Sequence, residues 1–515
     1  MHETFPNLYF TDTWKVSSRL TVNAGIRWEP YLPITVPTGV IFNFDTARFL
    51  NNVKSTQFVN APPGFYYPGD PGFPGNSGVK TYWKNFAPRL GFAWDPKGDG
   101  KTSVRASFGY GYAFVPGLTR EDQQGQNPWG GRQIITNSPG LTFVDFRNPF
   151  GSAANNPYPY TVNPNITFTP NGLFATTPYD TPSPSYSTWN LAVQRQIGSA
   201  WLLSATYMGS KVSHLYISIP INYAVFGAGT TPSTTGNTDA RRRLRLLNPA
   251  QGKFFGPTMD WNAGGNQHYN ALLLSIQRRL TRNVSMSANW TLSHCIGQVL
   301  GYNTKAEQTT TDPINYNKVG NCDSDRRNVV GVTAVAQSPT FSNRALKLVA
   351  SDWKLSGIYR FRSGTPLMIQ DGTDIALSGI NHQQPDLVDP THVYTGQSCG
   401  GCFYLNKAAF KTQAPGVFTG NLGWNSIVSP TYWDLDMGLS RAFRITERQG
   451  LEIRADAFNL TNSYVSKMAD TTEFGTNYGN PATGPTFSLV NSAQFGQILG
   501  AQPTRKIQFA LKYTF

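Results

Sequence analysis

Ile507-Gln508-Phe509-Ala510-Leu511-Lys512-Tyr513-Thr514-Phe515 closes the chain, and every second residue in it is large and apolar. Successive side chains of an extended strand point to opposite faces. Ile507, Phe509, Leu511, Tyr513 and Phe515 therefore share an oily face, and Gln508, Ala510, Lys512 and Thr514 share a polar or small one. The same period of two recurs upstream. Leu20-Thr21-Val22-Asn23-Ala24-Gly25-Ile26-Arg27-Trp28 alternates without a break, and Met286, Ala288, Trp290 and Leu292 alternate with Ser285, Ser287, Asn289 and Thr291. From Val104 on, Phe108, Tyr110, Tyr112 and Phe114 oppose Arg105, Ser107, Gly109 and Gly111. Soluble sandwich strands also alternate, but about ten residues of it is the length a tilted strand needs to cross a bilayer.

Strands are expected near 5–16, 19–31, 85–95, 101–114, 185–197, 200–210, 266–280, 283–294, 326–337, 351–363, 431–444, 448–460 and 505–515. Their connections alternate in length. Ser17-Ser18, Pro96 to Gly100, Gly198-Ser199, Thr281-Arg282, Ser338 to Ala350 and Ile445 to Glu447 are short, whereas 32–84, 115–184, 211–265, 295–325, 364–430 and 461–504 are long and rich in Gly, Pro, Asn and Ser. Bacterial outer-membrane barrels have short periplasmic turns and long extracellular loops. The expected fold is accordingly all-β, a transmembrane antiparallel barrel of outer-membrane type. In that orientation the first and last of the 13 expected strands both descend. Closed single-chain barrels of this kind have even strand numbers, so an ascending strand is expected before the first one seen. Met1-His2-Glu3-Thr4-Phe5 also lacks the basic segment and apolar run of a secretory leader. The expectation is one barrel domain over 1–515, truncated at its N-terminus, with neither signal peptide nor plug.

Bulk properties agree with this class. The 515 residues are 14% charged and 13% aromatic, with 49 Gly and 36 Pro, and the mean hydropathy is −0.34. Strands that show one face to lipid and one to water average out in this way, whereas helical spans need runs of about 18 apolar residues. The net charge is +14. Its densest cluster is Arg241, Arg242, Arg243 and Arg245, read here as solvated loop charge, with lipopolysaccharide or an anionic solute as the other reading.

Few residues point to chemistry. Gly98-Asp99-Gly100-Lys101-Thr102-Ser103 lacks the upstream glycine of a phosphate loop, because that position is Asp95, and reads as a turn. His2, His214, His268, His294, His382 and His392 never show the i, i+4 spacing of a helical zinc site and read as loop or rim residues. Cys295, Cys322, Cys399 and Cys402 are too few for a disulfide scaffold and too irregular for a zinc ribbon. Cys399-Gly400-Gly401-Cys402 has redox spacing without a helix beside it, so a loop disulfide is expected, and Cys295 with Cys322 is placed to close the base of another loop. Glu452, Arg454 and Asp456 fall on one strand face, the lumen. No catalytic grouping, cofactor or metal is expected, nor a nucleic-acid partner.

The chain resembles the barrel of TonB-dependent receptors of the Oar-like group along nearly its whole length. The resemblance rests on Tyr9-Phe10-Thr11-Asp12-Thr13-Trp14-Lys15-Val16 with Arg27-Trp28-Glu29-Pro30, on Phe86-Ala87-Pro88-Arg89-Leu90-Gly91-Phe92-Ala93-Trp94-Asp95-Pro96, and on Trp189-Asn190-Leu191-Ala192-Val193-Gln194-Arg195. Tyr207-Met208-Gly209-Ser210-Lys211, Tyr269-Asn270-Ala271-Leu272, Phe361-Arg362-Ser363-Gly364-Thr365-Pro366 and Arg454-Ala455-Asp456-Ala457-Phe458-Asn459-Leu460 extend it in the same order. It implies a barrel of about 22 strands with a plugged lumen, of which this chain carries roughly 13 strands. It implies energy-coupled uptake of a large ligand such as a carbohydrate, peptide or metal chelate. Adhesion or surface remodelling through the long loops is the other function considered. The partners implied are outer-membrane lipid and lipopolysaccharide, an extracellular ligand, TonB through the missing N-terminal region, and the barrel-assembly machinery. The aromatic ending at Phe515 resembles that machinery's recognition signal.

Overall fold

A computed structural model describes residues 1–113, 128–129, 163–281, 283–298, 312–316, 318–371, 373–381, 383–446, 448–464, 486–488, 495–498, 500 and 504–515. Phe114, Arg282, His382, Glu447 and much of the loops 115–184, 295–325 and 461–504 fall outside the described residues. Thirteen strands follow one another in a single antiparallel sheet. They are β1 (Leu8–Ser17), β2 (Leu20–Trp28), β3 (Phe86–Trp94), β4 (Thr102–Tyr112), β5 (Ser185–Ile197), β6 (Trp201–Pro220) and β7 (Phe255–Thr281). The order continues through β8 (Val284–Gly297), β9 (Asn328–Gln337), β10 (Trp353–Arg362), β11 (Tyr432–Arg444), β12 (Gly450–Phe458) and β13 (Lys506–Thr514). Each pairs with its sequence neighbours, and β1 and β13 end the path. Among the described residues no helix is long and apolar enough to span a membrane.

Cross-strand pairing gathers the large apolar side chains on one face. One row runs Leu20, Trp94, Val104, Val193, Ala205, Leu274, Trp290, Val330, Phe361 and Trp433 across ten strands. Every member is apolar. The adjacent row of the opposite face is mixed, with Thr21, Arg105, Thr206, Thr291, Arg362 and Tyr432 among Ala93, Ala192, Leu273 and Val329. The apolar row begins at the first residue of β2, beside a short turn, and ends at the second residue of β11, beside a long loop. A row perpendicular to the strands therefore climbs from one end of the sheet to the other, which is the tilt and stagger of a barrel wall.

The turns have local causes. Gly198 in the β5–β6 turn and Asn283 in the β7–β8 turn take φ of 60° and 63°, a left-handed conformation open to Gly and tolerated by Asn. Between β3 and β4 the Asp95 carboxylate accepts backbone N–H groups from Lys97, Gly98 and Gly100 at 3.3, 2.9 and 2.8 Å. The connection between β9 and β10 contains a short helix, Arg344–Ala350, capped by the Asn343 carboxamide oxygen, which accepts from Ala345 and Leu346. Arg441 reaches back from β11 to donate to the carbonyls of Lys347 and Val349 at the helix end.

The largest departure from the expected strands is the β6–β7 hairpin. It runs about ten residues further at its open end, because the chain continues past a bulge at His214, with φ of 60°, into a second hairpin segment. Ile217, Ser218 and Ile219 are all buried there. The alternation that marks a strand wetted on one side is therefore lost. The strand Gly172–Thr176 adds in parallel along Phe255 to Asp260.

The long loops fold on two cores of their own. Phe42, Phe44, Phe49, Phe58, Phe65, Tyr67, Trp129, Phe168, Phe174, Leu244 and Phe255 form the first. Phe65 is its hub, with ring centroids 4.7 Å from Phe174, 4.9 Å from Phe255 and 5.1 Å from Phe42. Leu367, Ile369, Val393, Leu405, Phe410, Leu422, Ile427, Phe495 and Ile498 form the second.

The basic cluster corrects an expectation. Arg241 and Arg242 are not solvated, being 2% and 5% exposed. Arg241 donates to Asn237 Oδ1 and to the carbonyls of Val225, Thr234 and Leu377, tying the insertion in the β6–β7 hairpin to the loop after β10. Arg242 bonds Asp239 Oδ1 and the Asn222 carbonyl. Buried loop carbonyls need donors, and a guanidinium supplies five of them. Arg243 alone of the run is exposed.

Candidate functional site: the polar face and its mouth

The polar face carries its densest charge on β10, β11 and β12. Arg360 grips Asp434 from Nε at 3.1 Å and Nη2 at 3.0 Å, and its Nη2 also contacts Asp436. The Arg362 guanidinium lies 5.4 Å over the Tyr432 ring, and Arg454 Nε pairs with Asp456 Oδ2 at 2.8 Å. Glu452, Arg454 and Asp456 do share a face, since their β13 partners are Lys512, Ala510 and Gln508. Gly438 sits between the two ion pairs because a Cβ there would fall 2.6 Å from Asp456 Oδ1 and 2.8 Å from Ser356 Oγ. Together these groups make a ladder of alternating donors and acceptors along the strands.

Sequence reading reached only the Glu452–Asp456 part of this ladder. Arg360 and the two aspartates lie more than seventy positions apart, and only the β10–β11 register brings them together. The readable signal was the spacing itself. Arg360 and Arg362, and Asp434 and Asp436, each skip one residue, as same-face neighbours must.

At the loop end of these strands lies a cavity of about 490 Å³ lined by Asp325, Arg327, Ser363, Tyr404 and Ser429, among others. Ser363 directly follows Arg362 in the chain. The Cys295–Cys322 pair shapes this mouth. Their sulfurs are bonded, with Cα atoms 5.4 Å apart, and the Cys322 N–H donates to the Cys295 carbonyl at 3.1 Å. Asp325 accepts from the Cys295 N–H at 2.7 Å, and its other oxygen meets His294 Nδ1 at 3.2 Å. Burial raises the pKa of Asp323 nearby, partly offset by the Asn425 carboxamide that donates to it. Cys399 and Cys402, also bonded, have Cα atoms 5.2 Å apart, and the Gly401 and Cys402 backbones bond to Ile498 at the second loop core.

The histidines scatter. His392 meets Asp389 at 2.8 Å; hydrogen bonds from Thr391 and then His392 lower that carboxyl to about 2. Among the described residues no three His, Cys, Asp or Glu side chains gather as a metal cluster. On β13 the apolar residues Ile507, Phe509, Leu511 and Tyr513 face the same side as Ala457, Ala455, Ile453 and Leu451 of β12. Phe509 is 79% exposed, as a strand at the end of the sheet path must be. Phe515 stacks its ring 6.0 Å from that of Tyr513.

A tilted antiparallel sheet with an apolar outer face, a charged inner face and short turns at one end defines an outer-membrane β-barrel protein. Residues 1–508 match the family described as outer membrane beta barrel domain. The chain belongs to that family and is a protein of the bacterial outer membrane. Among solved structures, the outer membrane transporter YddB from Escherichia coli is similar at 11% identity and a TM-score of 0.40, covering 99% of this chain and 44% of its own. The ferric-catecholate import receptor Fiu from Escherichia coli K12 gives 11% identity, a TM-score of 0.37, and coverage of 98% and 44%. The ferripyoverdine receptor of Pseudomonas aeruginosa gives 10%, 0.40, and 99% and 38%. The chain thus spans less than half the length of each. No curated protein matches it.

Proposed function

We propose that this chain is the barrel portion of a TonB-dependent receptor of the Oar-like group, whose parent takes up a large ligand by energy coupling. The observation that supports it best is the Arg360–Asp434–Asp436 ladder on the polar face of β10 and β11, with a cavity lined by Asp325, Arg327 and Tyr404 at the loop end of the sheet. A hydroxyl-rich carbohydrate, a peptide or a metal chelate would find donors and acceptors at both places. In this reading a plug and a TonB-contacting segment belong to sequence before the first strand. The same reading puts at least one further, ascending strand there, as the even strand number of closed single-chain barrels asks. The four cysteines are proposed as two disulfides, and the aromatic end at Phe515 as the handle for the assembly machinery.

Two measurements test the reading. The coding sequence upstream should contain a plug and a coupling segment; a signal peptide leading straight into strands would falsify the receptor. Cells carrying the intact parent should accumulate the ligand only while the inner membrane is energised. Surface binding without accumulation, energised or not, would favour adhesion through the long loops.

A further inference from the structure

The apolar face of the sheet is not uniform. A shallow groove of about 520 Å³ runs over β5 to β9, floored by Ala205 and Ala288 and walled by Leu203, Leu274, Ile276 and Trp290. It is almost wholly apolar. Its size is that of a small-molecule site, roughly 300–1,000 Å³. Arg195 lines its periplasmic end, on the same face by register, two residues above Ile197 and one row from Arg278.

An arginine on the lipid face costs up to roughly 2–4 kcal/mol at mid-membrane but little at the interface. Both of these stand about three residues from a short turn, so their stems can lie in lipid while their heads reach the boundary. Neither head is used up. Arg195 donates to the Thr102 hydroxyl and has Asp99 at 3.9 Å; Arg278 donates to the Thr281 carbonyl at 3.3 Å and lies 5.5 Å over the Trp201 ring. Each guanidinium has five N–H donors. The contrast is Arg441, on the same face, which is buried and caps a helix end.

We infer that this groove holds one acyl chain of an anionic phospholipid of the periplasmic leaflet, with the head-group phosphate between Arg195 and Arg278. The end at which the charge sits selects the occupant. Lipopolysaccharide carries its phosphates at the outer surface, whereas Arg195 and Arg278 lie at the other. Asp99 in the facing turn is flanked by Lys97 and Lys101, so the local field stays positive.

The test uses the intact protein extracted from membranes and titrated with phosphatidylglycerol, the complexes being counted by native mass spectrometry. Wild type should retain one tightly held lipid. The pair Arg195→Gln with Arg278→Gln should weaken it roughly ten- to thirty-fold, at about 1 kcal/mol per arginine. Ala288→Trp, which fills the groove and keeps both arginines, should weaken it as well. Retention by either variant at the wild-type level, or equal binding of lipid A by wild type, overturns the proposal. A second measurement needs no variant. A phosphatidylglycerol with a photoreactive acyl chain should label Leu203, Leu274 and Trp290; labels spread evenly over the apolar face would refute the site.

Discussion

The wall of this protein and the caps above it are held together by different physics. In the wall, strands satisfy each other's backbone groups, and the apolar side chains have no protein partner to bury against; Leu191, Leu272 and Leu439 are all exposed. Their solvent is lipid. In the caps, Phe42, Phe49, Phe65 and Phe174 are excluded from solvent almost completely and pack ring on ring. A period-two pattern is all the first region needs, whereas the second needs particular shapes at particular places.

The sharpest way to test the division is to damage one region and watch the other. Phe65→Ala removes the hub of the first loop core and should cost the cap about 3–5 kcal/mol. Limited proteolysis should then cut the loops, while heat-modifiable migration of the barrel on gels stays as in wild type. Loss of both together would mean that wall and cap fold as one unit. Cys295→Ala comes next. Its bridge closes a separation of 27 residues, for which loop-closure entropy gives about 3–4 kcal/mol. The bridge across three residues at Cys399 gives about half as much. Thiol labelling of native protein without reductant should modify none of the four, and full labelling would sink both bridges.

A wall substitution should show dependence on face. Leu274→Arg, at the middle of the apolar row, should cost about 2–4 kcal/mol in membrane refolding, against less than about 1 kcal/mol for Ser275→Arg on the polar side. Equal costs would invalidate the assignment of faces. The smallest effect concerns pH. Asp260 stands in the part of β7 beyond the bulge, above the membrane-crossing stretch, and burial pushes its carboxyl up to about 7. A raised carboxyl pKa means that the folded state holds a proton the unfolded chain releases. Its contribution to cap stability is then greatest below about pH 4 and falls as pH rises toward 7, by roughly 2 kcal/mol between pH 5 and 7. Hydrogen exchange of the Gly172–Thr176 strand across that range checks it, and Asp260→Asn should flatten the profile.

The same division explains what was legible in the amino-acid order. Thirteen strands could be placed, and Ser185–Ile197 lies where the alternation puts it, because one wet and one oily face impose a period on the chain. The outer part of the β6–β7 hairpin could not be placed, since burial on both sides erases the period at Ile217 to Ile219. Phe42, Phe65 and Tyr67 occupy segments full of Gly and Pro, where spacing carries no information about who meets whom. Arg241 and Arg242 misled for the opposite reason. Charge in a loop ordinarily means solvent, and only the fold shows which carbonyls needed those donors. The ladder of Arg360 with Asp434 and Asp436 was half visible, as spacing on each strand but not as a pairing.

The climbing row from Leu20 to Trp433 behaves like the thread of a screw. Each strand hands its height to the next, so a single inserted residue in β5 would turn every later side chain on that strand to the wrong face and strip the thread from there on. Insertions between 221 and 254, or elsewhere in the caps, leave the pitch untouched. Variation in length among natural variants of this chain should therefore collect above the membrane, with the wall held to a fixed count.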